Sequence, residues 1–455
     1  MNNPAAIDPH QAFEQQIQAF RAQPNEYQNR VSSRLLRQTQ NALPAAVFWA
    51  SVAILLNGLA VWYFSAAVDS ARAAGLLALL ALALTLAARS YTINYLTYHT
   101  LGRLGRFHRL HDITDRIGFL HRYMALSTLI WLGVHAGVKP TTAASLETAL
   151  LWGLFGLLGL ICVTALAPVR RRFHNLFEAV HRYGGWLATL VLLSYFVATF
   201  SAQLEGLSGW LALPEFYLLL AILGMLIAPW WGVSKAYPQL VHVGPHVIGL
   251  ELPGQPSFGT YSRITLSNGC FHPFGDSMID FQDRDSRVLY ITPAGDRTSE
   301  LVDAANQGAF RQMECTLRKD RFKGFMYHHS VYDHILILVT GGGIAPVIPC
   351  LMLNDHTQID VLWLGKDQPK EFTQPLLDQL GAATANKSIR LHVLNTHDPD
   401  LIALNDQHYT ALALKACAHY QPQAVFVMSN QPFTIDLMHA LSMEGYKAYG
   451  ATFDS

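Results

Sequence analysis

The chain has few cysteines and few charged residues for its length. Its 455 residues include 5 cysteines, which are scattered without a CxxC pair or metal-ligand spacing, so we expect neither disulfides nor an iron–sulfur cluster. Only 14% of the residues are charged, and 32 lysines and arginines balance 32 aspartates and glutamates. Without a basic excess, nucleic acid is not an expected partner. The N-terminus is polar and lacks the apolar core of a signal peptide.

Apolar residues are concentrated in the first half of the chain. Residues 45–231 are nearly all apolar apart from short basic patches, whereas 235–455 have the composition of an ordinary soluble domain. Hydropathy therefore predicts a membrane domain followed by a soluble part. The predicted spans are six and lie near 45–66, 73–88, 117–137, 148–167, 181–201 and 211–231.

The distribution of arginine predicts the orientation. Between three and five arginines lie in each of the N-terminal tail, the loop between spans two and three, and the loop between spans four and five. The opposite loops contain only Arg72 and Lys139. The positive-inside rule then predicts a multi-pass protein of the plasma membrane, the bacterial inner membrane, with both termini cytoplasmic. Residues 11–40 are compatible with a short amphipathic helix on the membrane surface.

Histidines in the third and fifth predicted spans suggest a haem site. His121 and His135 are fourteen residues apart, about 21 Å along a helix and on one face of it. His181 opens the fifth span, and the tripeptide His-Arg-Tyr begins at both His121 and His181. Because both spans run from the cytoplasm outward, these two histidines are predicted at equal depth, where they can clamp one haem b. The alternative is hydrogen bonding across the helix bundle.

The outer histidine lacks an obvious partner. A second ligand beside His135 would be expected at Ser194 or Tyr195, and neither is a histidine. Two alternatives remain open at this point. Either an outer haem is absent, or His135 alone binds it with an open or unusual second position.

A glycine-rich turn in the soluble half predicts a nucleotide site. A buried strand at 335–339 runs into this turn and then into an apolar helix, an arrangement that lets the backbone approach a pyrophosphate. Further strands are predicted at 360–364, 389–394 and 424–428, which indicates a doubly wound parallel sheet. The alternative is a glycine-rich turn that binds nothing. The residues of the turn are Gly341, Gly342, Gly343, Ile344, Ala345 and Pro346.

The segment 240–325 has short strand-like pieces separated by turns rich in Gly and Pro, a pattern typical of a small antiparallel barrel. Two motifs lie in it: Phe271-His272-Pro273-Phe274 and Gly295-Asp296-Arg297-Thr298.

The order of these motifs over 45–455 resembles the ferric reductase and NADPH oxidase superfamily. The resemblance implies that the His-Pro-Phe segment binds FAD and that the glycine-rich turn holds the NADPH pyrophosphate. A C-terminal aromatic residue is expected to stack on the flavin ring, and Phe453 matches it, with Tyr449 as the alternative. The implied flavin residues are His272, Pro273, Phe274, Arg297 and Thr298, with Gly324 from a second loop beside the flavin phosphates.

The chain departs from the family pattern at several positions. The fourth haem histidine is missing, Gly275 replaces the serine or threonine after His-Pro-Phe, and the second phosphate loop appears only as 324–327. Met428-Ser429-Asn430 replaces Cys-Gly-Pro near the expected nicotinamide site, which puts efficient hydride transfer in doubt. These departures resemble a divergent branch, the reductase-like membrane modules associated with adenylate-forming enzymes.

The predicted fold is a six-helix transmembrane bundle, an antiparallel FAD-binding β-barrel and a doubly wound parallel-sheet nucleotide domain. The corresponding domains are a cytoplasmic tail at 1–44, the bundle at 45–231, the barrel at 235–328 and the nucleotide domain at 329–455. His328 and His329 are interpreted as a solvated turn rather than a metal site. Lys366 and Lys370 favour NADPH slightly over NADH.

The predicted function is a membrane flavocytochrome that passes electrons from cytoplasmic NAD(P)H through FAD to haem b. The acceptor is unknown and could be ferric iron, oxygen, a quinone or a partner protein. A second reading is an FAD- and NAD(P)H-dependent membrane reductase, associated with a biosynthetic partner, in which haem is auxiliary or lost. A third is a non-catalytic membrane scaffold.

Overall fold

Two compact units make up the structure. It is a computed structural model that describes residues 9–24, 34–65, 68–90, 117–139, 145–201, 206–257, 259–265, 271–278, 285–312, 314–318, 322–353, 357–372, 374–385 and 389–450. The described residues of 1–42 and 232–455 form the first unit. Those of 43–101 and 112–231 form the second, which is helical.

Helices build the second unit after α1 (Pro9–Ala22), which belongs to the first. They are α2 (Arg34–Ser65), α3 (Ser70–Ala87), α4 (Gly118–Val138), α5 (Leu146–Thr164), α6 (Ala167–Arg172), α7 (His174–Ala179), a π-helical turn (Val180–Gly184), α8 (Gly185–Phe200), α9 (Gly206–Leu211), α10 (Pro214–Ile227) and a 3-10 turn (Ala228–Trp230).

Two apolar clusters hold the helical unit together. One joins α3, α4, α5, α8 and α10, and the other joins α2, α3 and α4. Large apolar side chains also point outward, as at Ile54 and Trp62, which are 73% and 75% exposed. An exposed apolar surface of this kind marks a contact with another protein or with a membrane.

Four helical segments are long and apolar enough to cross a membrane: Ala45–Phe64, Ser70–Ala87, Leu146–Thr164 and Asn175–Phe200. The prediction of six spans is therefore met by four of the described segments. Helix α4 has 21 residues, but its two histidines and Arg122 lower its hydropathy. Helix α10 has only 14 residues, fewer than the roughly 20 that a span needs.

An antiparallel sheet of eight strands opens the first unit after α1. Its order is β1-β7-β4-β5-β6-β3-β2, with β8 paired to β4, and it curls around an apolar core as predicted. Helix α11 (Asp296–Asn306) packs on this core. The strands are β1 (Val233–Ala236), β2 (Gln239–Val243), β3 (Ile248–Pro253), β4 (Thr260–Thr265), β5 (Phe271–Ser277), β6 (Ser286–Ile291), β7 (Cys315–Arg318) and β8 (Phe322–Lys323).

A parallel sheet of five strands follows. The strands are β9 (His334–Thr340), β10 (Gln358–Gly365), β11 (Ile389–Asn395), β12 (Ala424–Met428) and β13 (Ala448–Gly450). Their order is β11-β10-β9-β12-β13, so the winding direction reverses between β9 and β12. All four strands predicted from the sequence are present. Sheets of this order bind ligands in the crevice at the reversal, beyond the carboxyl ends of the strands.

Helices cover both faces of the parallel sheet. One face packs on α12 (Ile348–Leu353), α13 (Gln368–Phe372) and α14 (Gln374–Ala385). The other face packs on α15 (Asp406–Tyr420), α16 (Gln431–Met443) and the N-terminal helix α1. The doubly wound arrangement predicted from the sequence is thus present.

Helix α1 corrects the prediction of a helix on the membrane surface. Its apolar stripe of Phe13, Ile17 and Phe20 is 0–4% exposed and packs against the nucleotide domain. The Phe13 ring lies 4.9 Å from the His392 ring, and Glu14 accepts a hydrogen bond from His392 Nδ1 at 2.6 Å. An amphipathic stripe fits a lipid surface and an apolar groove equally well, so the sequence alone could not choose between them.

Candidate functional site

The glycine-rich turn lies at the carboxyl end of β9, beside the reversal of the sheet. The turn spans Gly341–Val347 as a 3-10 helix. Gly341 has a φ of +49°, a left-handed conformation that favours glycine, and a Cβ built on it would meet no atom within 4 Å. The Trp363 indole donates a hydrogen bond of 3.0 Å to its carbonyl oxygen. Gly341 therefore presents its backbone to open space at the position where a nucleotide would bind.

The next two glycines are needed for packing inside the protein. A Cβ on Gly342 would lie 2.3 Å from Thr292 Cγ2, and one on Gly343 would lie 2.7 Å from the carbonyl oxygen of Met428. A side chain at Gly342 would therefore meet Thr292 inside the protein before it could meet a pyrophosphate. Nothing in the sequence spacing identified Thr292, which follows β6.

The predicted flavin strand meets the predicted nucleotide turn. A Cβ on Gly275, in β5, would lie 2.4 Å from Pro346 Cβ. The missing side chain after His-Pro-Phe is therefore what lets β5 pack against the turn. The departure from the family pattern at Gly275 therefore has a local structural cause. The close contact between Gly275 and Pro346 brings together the two motifs on which a flavin and a nucleotide would bind.

The segment that replaces Cys-Gly-Pro forms hydrogen bonds at the ends of β9 and β12 and at the start of α16. The hydroxyls of Thr340 and Ser429, at the ends of β9 and β12, lie 2.5 Å apart. The Asn430 side chain accepts a 3.0 Å hydrogen bond from the Phe433 backbone N–H and caps α16. The substituted residues thus stabilise the ends of two elements at the site, which is compatible with a functional crevice.

The His-Pro-Phe residues lie on β5, which pairs with β4. Pro273 is exposed, while His272 and Phe274 are half-buried, and Phe274 packs against the core of the antiparallel sheet. An exposed proline beside a half-buried aromatic ring forms a rigid surface on the strand. This surface suits a flat ligand, and the segment fits the flavin role that the family resemblance implies.

The second implied flavin segment begins α11. The Thr298 hydroxyl accepts hydrogen bonds from the N–H groups of Ala294 and Gly295 at 2.9 and 3.0 Å, so it serves the helix cap. The Arg297 guanidinium is half-exposed and donates to Glu300 at 2.8 Å. Arg297 therefore offers a solvent-accessible cation that can exchange this surface carboxylate for a phosphate.

Gly324 has a packing role in the barrel. Its N–H donates a 2.7 Å hydrogen bond to the Gly259 carbonyl, and it precedes the 3-10 turn Phe325–Val331. Gly259 has a φ of +64°, and a Cβ there would lie 2.4 Å from the Tyr327 nitrogen. The loop is thus closely packed on its own neighbours.

The alternative ring-stacking residue, Tyr449, is part of the core. It is 5% exposed, its ring stacks on Phe426 at 5.1 Å, and its hydroxyl bonds that of Tyr332 at 2.6 Å. A residue held in this way cannot also cover a flavin ring, so the alternative assignment to Tyr449 is wrong. Phe453 lies outside the described residues.

His328 and His329 correct the prediction of a solvated turn. Each is 1% exposed, and His329 Nδ1 donates to the Met326 carbonyl at 2.9 Å. The histidines are buried because their 3-10 turn packs against the parallel sheet, where the His328 ring lies 5.7 Å from Tyr449. Within the described ranges, no group of three or more His, Cys, Asp or Glu side chains could hold a metal ion.

An acidic residue, missed in the sequence, lies at the carboxyl end of β10. Asp367 has a φ of +44°, and its carboxylate lies 3.3 Å from both Lys370 Nζ and His397 Nδ1. These hydrogen bonds, that of His397 first, lower its pKa and keep it ionised. The sequence did contain a sign of this residue, because Asp367 lies 24 residues after Gly343. An acidic residue about 20 residues after such a turn commonly binds the ribose 2′-hydroxyl of the nucleotide.

A clamp joins the antiparallel and parallel sheets. The Glu371 carboxylate accepts hydrogen bonds from the His246 backbone N–H at 2.9 Å and from its ring at 2.7 Å. His242 Nε2 donates to the Glu371 carbonyl at 2.5 Å. Burial lowers the pKa of His242. The clamp fixes the two sheets whose motifs meet at Gly275 and Pro346.

The predicted haem ligands lie together in the helical unit. The ring centroids of His121 and His181 are 6.3 Å apart. Two imidazoles on one iron need about 6 Å, because each metal–nitrogen bond is about 2 Å and each ring nitrogen is about 1 Å from its centroid. His181 lies in the π-helical turn, a feature frequent at functional sites. His121 Nδ1 donates to the Thr85 carbonyl at 2.9 Å, which directs the lone pair to Nε2. The two imidazoles are therefore close enough to share one metal ion.

His135 does not fit a metal ligand as it is arranged. Its Nδ1 lies 2.7 Å from the Ala71 carbonyl, and its Nε2 lies 2.6 Å from the Tyr195 hydroxyl. Both ring nitrogens are engaged. The cavity beside the ring has a volume of about 80 Å³, less than the roughly 150 Å³ that holds one benzene. Of the two alternatives for the outer site, the geometry favours the one without haem.

Comparison with known proteins finds similarity to adenylate-forming reductases. Residues 325–455 match the family model described as the C-terminal domain of adenylate-forming reductase 03009. Adenylate-forming reductase 03009 of Coprinopsis cinerea is 25% identical over 358 residues, which are 74% of this chain and 32% of that protein. Adenylate-forming reductase 06235 of the same fungus is 24% identical over 357 residues, 74% of this chain and 33% of that protein. The chain thus spans about a third of the length of these relatives.

Solved structures are more distantly similar. Ferredoxin-NADP+ reductase of Plasmodium falciparum has 12% identity and a TM-score of 0.36, covering 48% of this chain and 96% of its own. Phthalate dioxygenase reductase has 13% identity and a TM-score of 0.36, and the match covers 49% of this chain and 70% of that protein. Flavohemoglobin of Malassezia yamatoensis has 14% identity and a TM-score of 0.39, and the match covers 84% of this chain and 96% of that protein. In sequence, the chain is similar over its C-terminal domain to the adenylate-forming reductases.

Proposed function

We propose that the protein is an NAD(P)H-dependent flavin reductase that passes electrons to one haem b in its helical unit. The observation that carries this proposal is the contact between Gly275 of the His-Pro-Phe strand and Pro346 of the glycine-rich turn. That contact joins a flavin strand to a nucleotide turn at the reversal of a parallel sheet, where such sheets bind nucleotides. When bound, FAD accepts a hydride and releases single electrons, and haem carries them onward.

The chain's own residues supply binding and orientation. The backbone at Gly341 faces open space and can approach a pyrophosphate, while Arg297 is an exposed cation for the flavin phosphates. The clamp of Glu371 on His242 and His246 keeps the two sheets at a fixed distance. This preorganisation is what hydride transfer requires.

The preferred nucleotide is NADH. Asp367 follows β10 at the same sheet edge as the turn, because Leu364 of β10 pairs with Thr340 of β9. A carboxylate there accepts a hydrogen bond from a ribose 2′-hydroxyl and repels a 2′-phosphate. Lys370, which favoured NADPH in the sequence, is paired with Asp367 itself. The acidic residue therefore outweighs it.

The helical unit is proposed to span the plasma membrane six times with both termini cytoplasmic. Four segments meet the length and hydropathy of a span, and α4 and α10 pack with three of them in one apolar cluster, while α4 packs with α2 in a second. The arginine distribution supports the orientation. A cysteine introduced at Gly206 should be labelled from outside intact cells, whereas one at Gln358 should not. Labelling at Gln358 alone would contradict this topology.

Absorption spectroscopy of the purified protein tests the whole proposal. The spectrum should contain flavin and about one haem per chain, and NADH should reduce the flavin first and the haem second. Dithionite should reduce both without a nucleotide site. A flavin that stays oxidised for minutes with both NADH and NADPH would remove the reductase proposal and favour the scaffold.

Similarity to adenylate-forming reductases supports a second candidate. In it, the chain reduces the product of an adenylate-forming enzyme with NAD(P)H, and haem is auxiliary or lost. A purified protein that contains flavin, lacks a haem spectrum and still oxidises NADH with a carboxylate-derived substrate would favour this candidate over the first.

A further inference from the structure

A polar cluster crosses the end of α4 that lies away from His121. His135 of α4 and Lys139, the first residue after this helix, both contact the Tyr195 hydroxyl, at 2.6 and 2.9 Å. Lys139 also forms an ion pair with Glu147 of α5, and Thr199 donates to the same carboxylate at 2.6 Å. Polar and ionisable groups inside an apolar bundle are costly and usually functional. The haem assignment uses none of them.

The donors and acceptors available at Lys139, Tyr195 and His135 fix the direction of the hydrogen bonds between them. A backbone carbonyl only accepts, so His135 Nδ1 must donate its proton to the Ala71 carbonyl. The lone pair of the neutral ring is then on Nε2, and Tyr195 must donate its hydroxyl proton to it. Lys139 has donors only and gives a proton to the Tyr195 oxygen. The two bonds of the Tyr195 hydroxyl therefore point from Lys139 to Tyr195 and from Tyr195 to His135.

Packing holds the terminal imidazole in place. A Cβ on Gly75 of α3 would lie 3.2 Å from His135 Cε1, so the helix backbone lies close against the ring. His135 is 8% exposed. At the other end of the cluster, the side chains of Lys139 and Glu147 are 16% and 31% exposed. Protons can therefore enter from the surface at Lys139 and reach the Tyr195 hydroxyl, which an imidazole of fixed orientation holds in place.

The relay ends at a cavity. His135 and Tyr195 line the cavity of about 80 Å³, together with leucines of five helices and with Arg72 and Glu215. The Arg72 side chain is 37% exposed, so the cavity approaches the surface on that side. The volume is too small for an aromatic ring but sufficient for a carbonyl group or two waters.

The charges around the cavity are already balanced. Arg72 donates to Glu215 at 2.7 and 3.1 Å, and Lys139 is paired with Glu147. A ferric ion entering this space would meet two cations and no unpaired carboxylate among these four groups. A neutral ligand with a hydrogen-bond acceptor would instead face the His135–Tyr195 pair.

We propose that Lys139 and Tyr195, with the Tyr195 hydroxyl oriented by His135, form a proton relay that serves a neutral acceptor of the quinone type, whose carbonyl end enters the cavity. This deepens the proposed function and rests on it for the supply of electrons. Reduction of such an acceptor to its hydroquinone consumes two electrons and two protons, and forms one O–H bond at each carbonyl oxygen. For the oxygen in the cavity, the Tyr195 hydroxyl turns from His135 Nε2 to the carbonyl oxygen and gives it the proton, while the carbonyl oxygen outside the cavity takes its proton from solvent. Lys139 reprotonates Tyr195 and regains its proton from solvent.

The test compares two acceptors in Tyr195→Phe, which removes the middle hydroxyl and keeps the ring. Protein reduced with dithionite is mixed with water-soluble benzoquinone, which needs protons, or with ferricyanide, which does not. Reoxidation by benzoquinone should slow at least tenfold in the variant, and the wild-type rate should fall about twofold in D2O. Reoxidation by ferricyanide should remain unchanged in both cases.

Ser194→Ala is the matched control. The Ser194 hydroxyl is adjacent in sequence but donates to the Leu190 carbonyl of its own helix. This variant should keep both rates. Equal slowing with both acceptors in Tyr195→Phe, or slowing with neither, would overturn the relay.

A second measurement does not need electron transfer. In protein labelled with 15N at histidine, the His135 signal, assigned by its loss in His135→Gln, should show a protonated Nδ1 and an Nε2 that accepts a hydrogen bond. Tyr195→Phe should shift the Nε2 resonance alone. An Nε2-protonated ring contradicts the relay itself, whereas a protein without a reducible haem and with the expected tautomer contradicts only the proposed function.

Discussion

Replacing Gly341 by alanine should weaken NADH binding without unfolding the nucleotide domain. The residue has a φ of +49°, and the added Cβ would meet no protein atom within 4 Å. The change therefore costs about 1–2 kcal/mol of backbone strain and creates no clash. The new methyl group would instead occupy the open space in front of the turn, where the pyrophosphate is proposed to bind.

The expected rise in the KM for NADH follows from the loss of one backbone hydrogen bond to the pyrophosphate. A hydrogen bond to a charged group contributes about 1.5–3 kcal/mol, which corresponds to a roughly 10- to 100-fold rise in KM for NADH. Stopped-flow reduction of the flavin over a range of NADH concentrations measures it. Reduction by dithionite should be unaffected, because dithionite needs no nucleotide site.

Gly308→Ala separates the two effects. Gly308 has a φ of +68° and a Cβ there also meets nothing within 4 Å, but it lies in the turn after α11. Both variants should lose similar unfolding free energy, and only Gly341→Ala should lose NADH affinity. If both variants reduce the flavin with the same KM as the wild type, the turn does not hold the nucleotide and the reasoning is refuted.

Three further predictions concern the haem, the nucleotide and pH. Replacing His121 or His181 by alanine should abolish the reduced haem spectrum, whereas His135→Ala should keep most of it; a second six-coordinate haem in the wild type would contradict the single site. Asp367→Ser should raise the ratio of kcat/KM for NADPH to that for NADH by about tenfold, because it removes the charge that repels a 2′-phosphate; an unchanged ratio would show that the carboxylate does not contact the ribose. Burial lowers the pKa of His242, so below about pH 6.5 the unfolded chain binds a proton that the folded chain does not. The free energy of unfolding measured in urea should therefore fall as the pH drops below about 6.5. His242→Gln should flatten that dependence between about pH 7.5 and 5.5.

Much of the soluble fold could be predicted because its signals are local. A buried strand needs a short apolar run and a turn needs glycine, and the strands β9 to β12 were recognised in this way. The glycine-rich turn was located correctly for the same reason. The purpose of each glycine was not, since Gly342 is required by Thr292, a neighbour about 50 residues away in sequence.

Long-range polar contacts could not be predicted from the sequence. Glu371 clamps His246 across 125 residues, and Tyr195 meets His135 across 60. A single carboxylate or hydroxyl carries no sign of its partner, because the pairing is decided by the fold. Asp367 is the exception, since its distance from the turn did contain the information.

The docking of α1 has a consequence for synthesis. Phe13, Ile17 and Phe20 leave the ribosome well before α15, which they contact and which begins at Asp406, about 380 residues after α1 ends. At roughly 5–20 residues per second, the helix waits about 20–80 s for its groove. During that interval the whole helical unit is translated. The apolar stripe must then be shielded by lipid or a chaperone, so a slowed ribosome should expose this N-terminal helix to proteases more than any later element of the same unit.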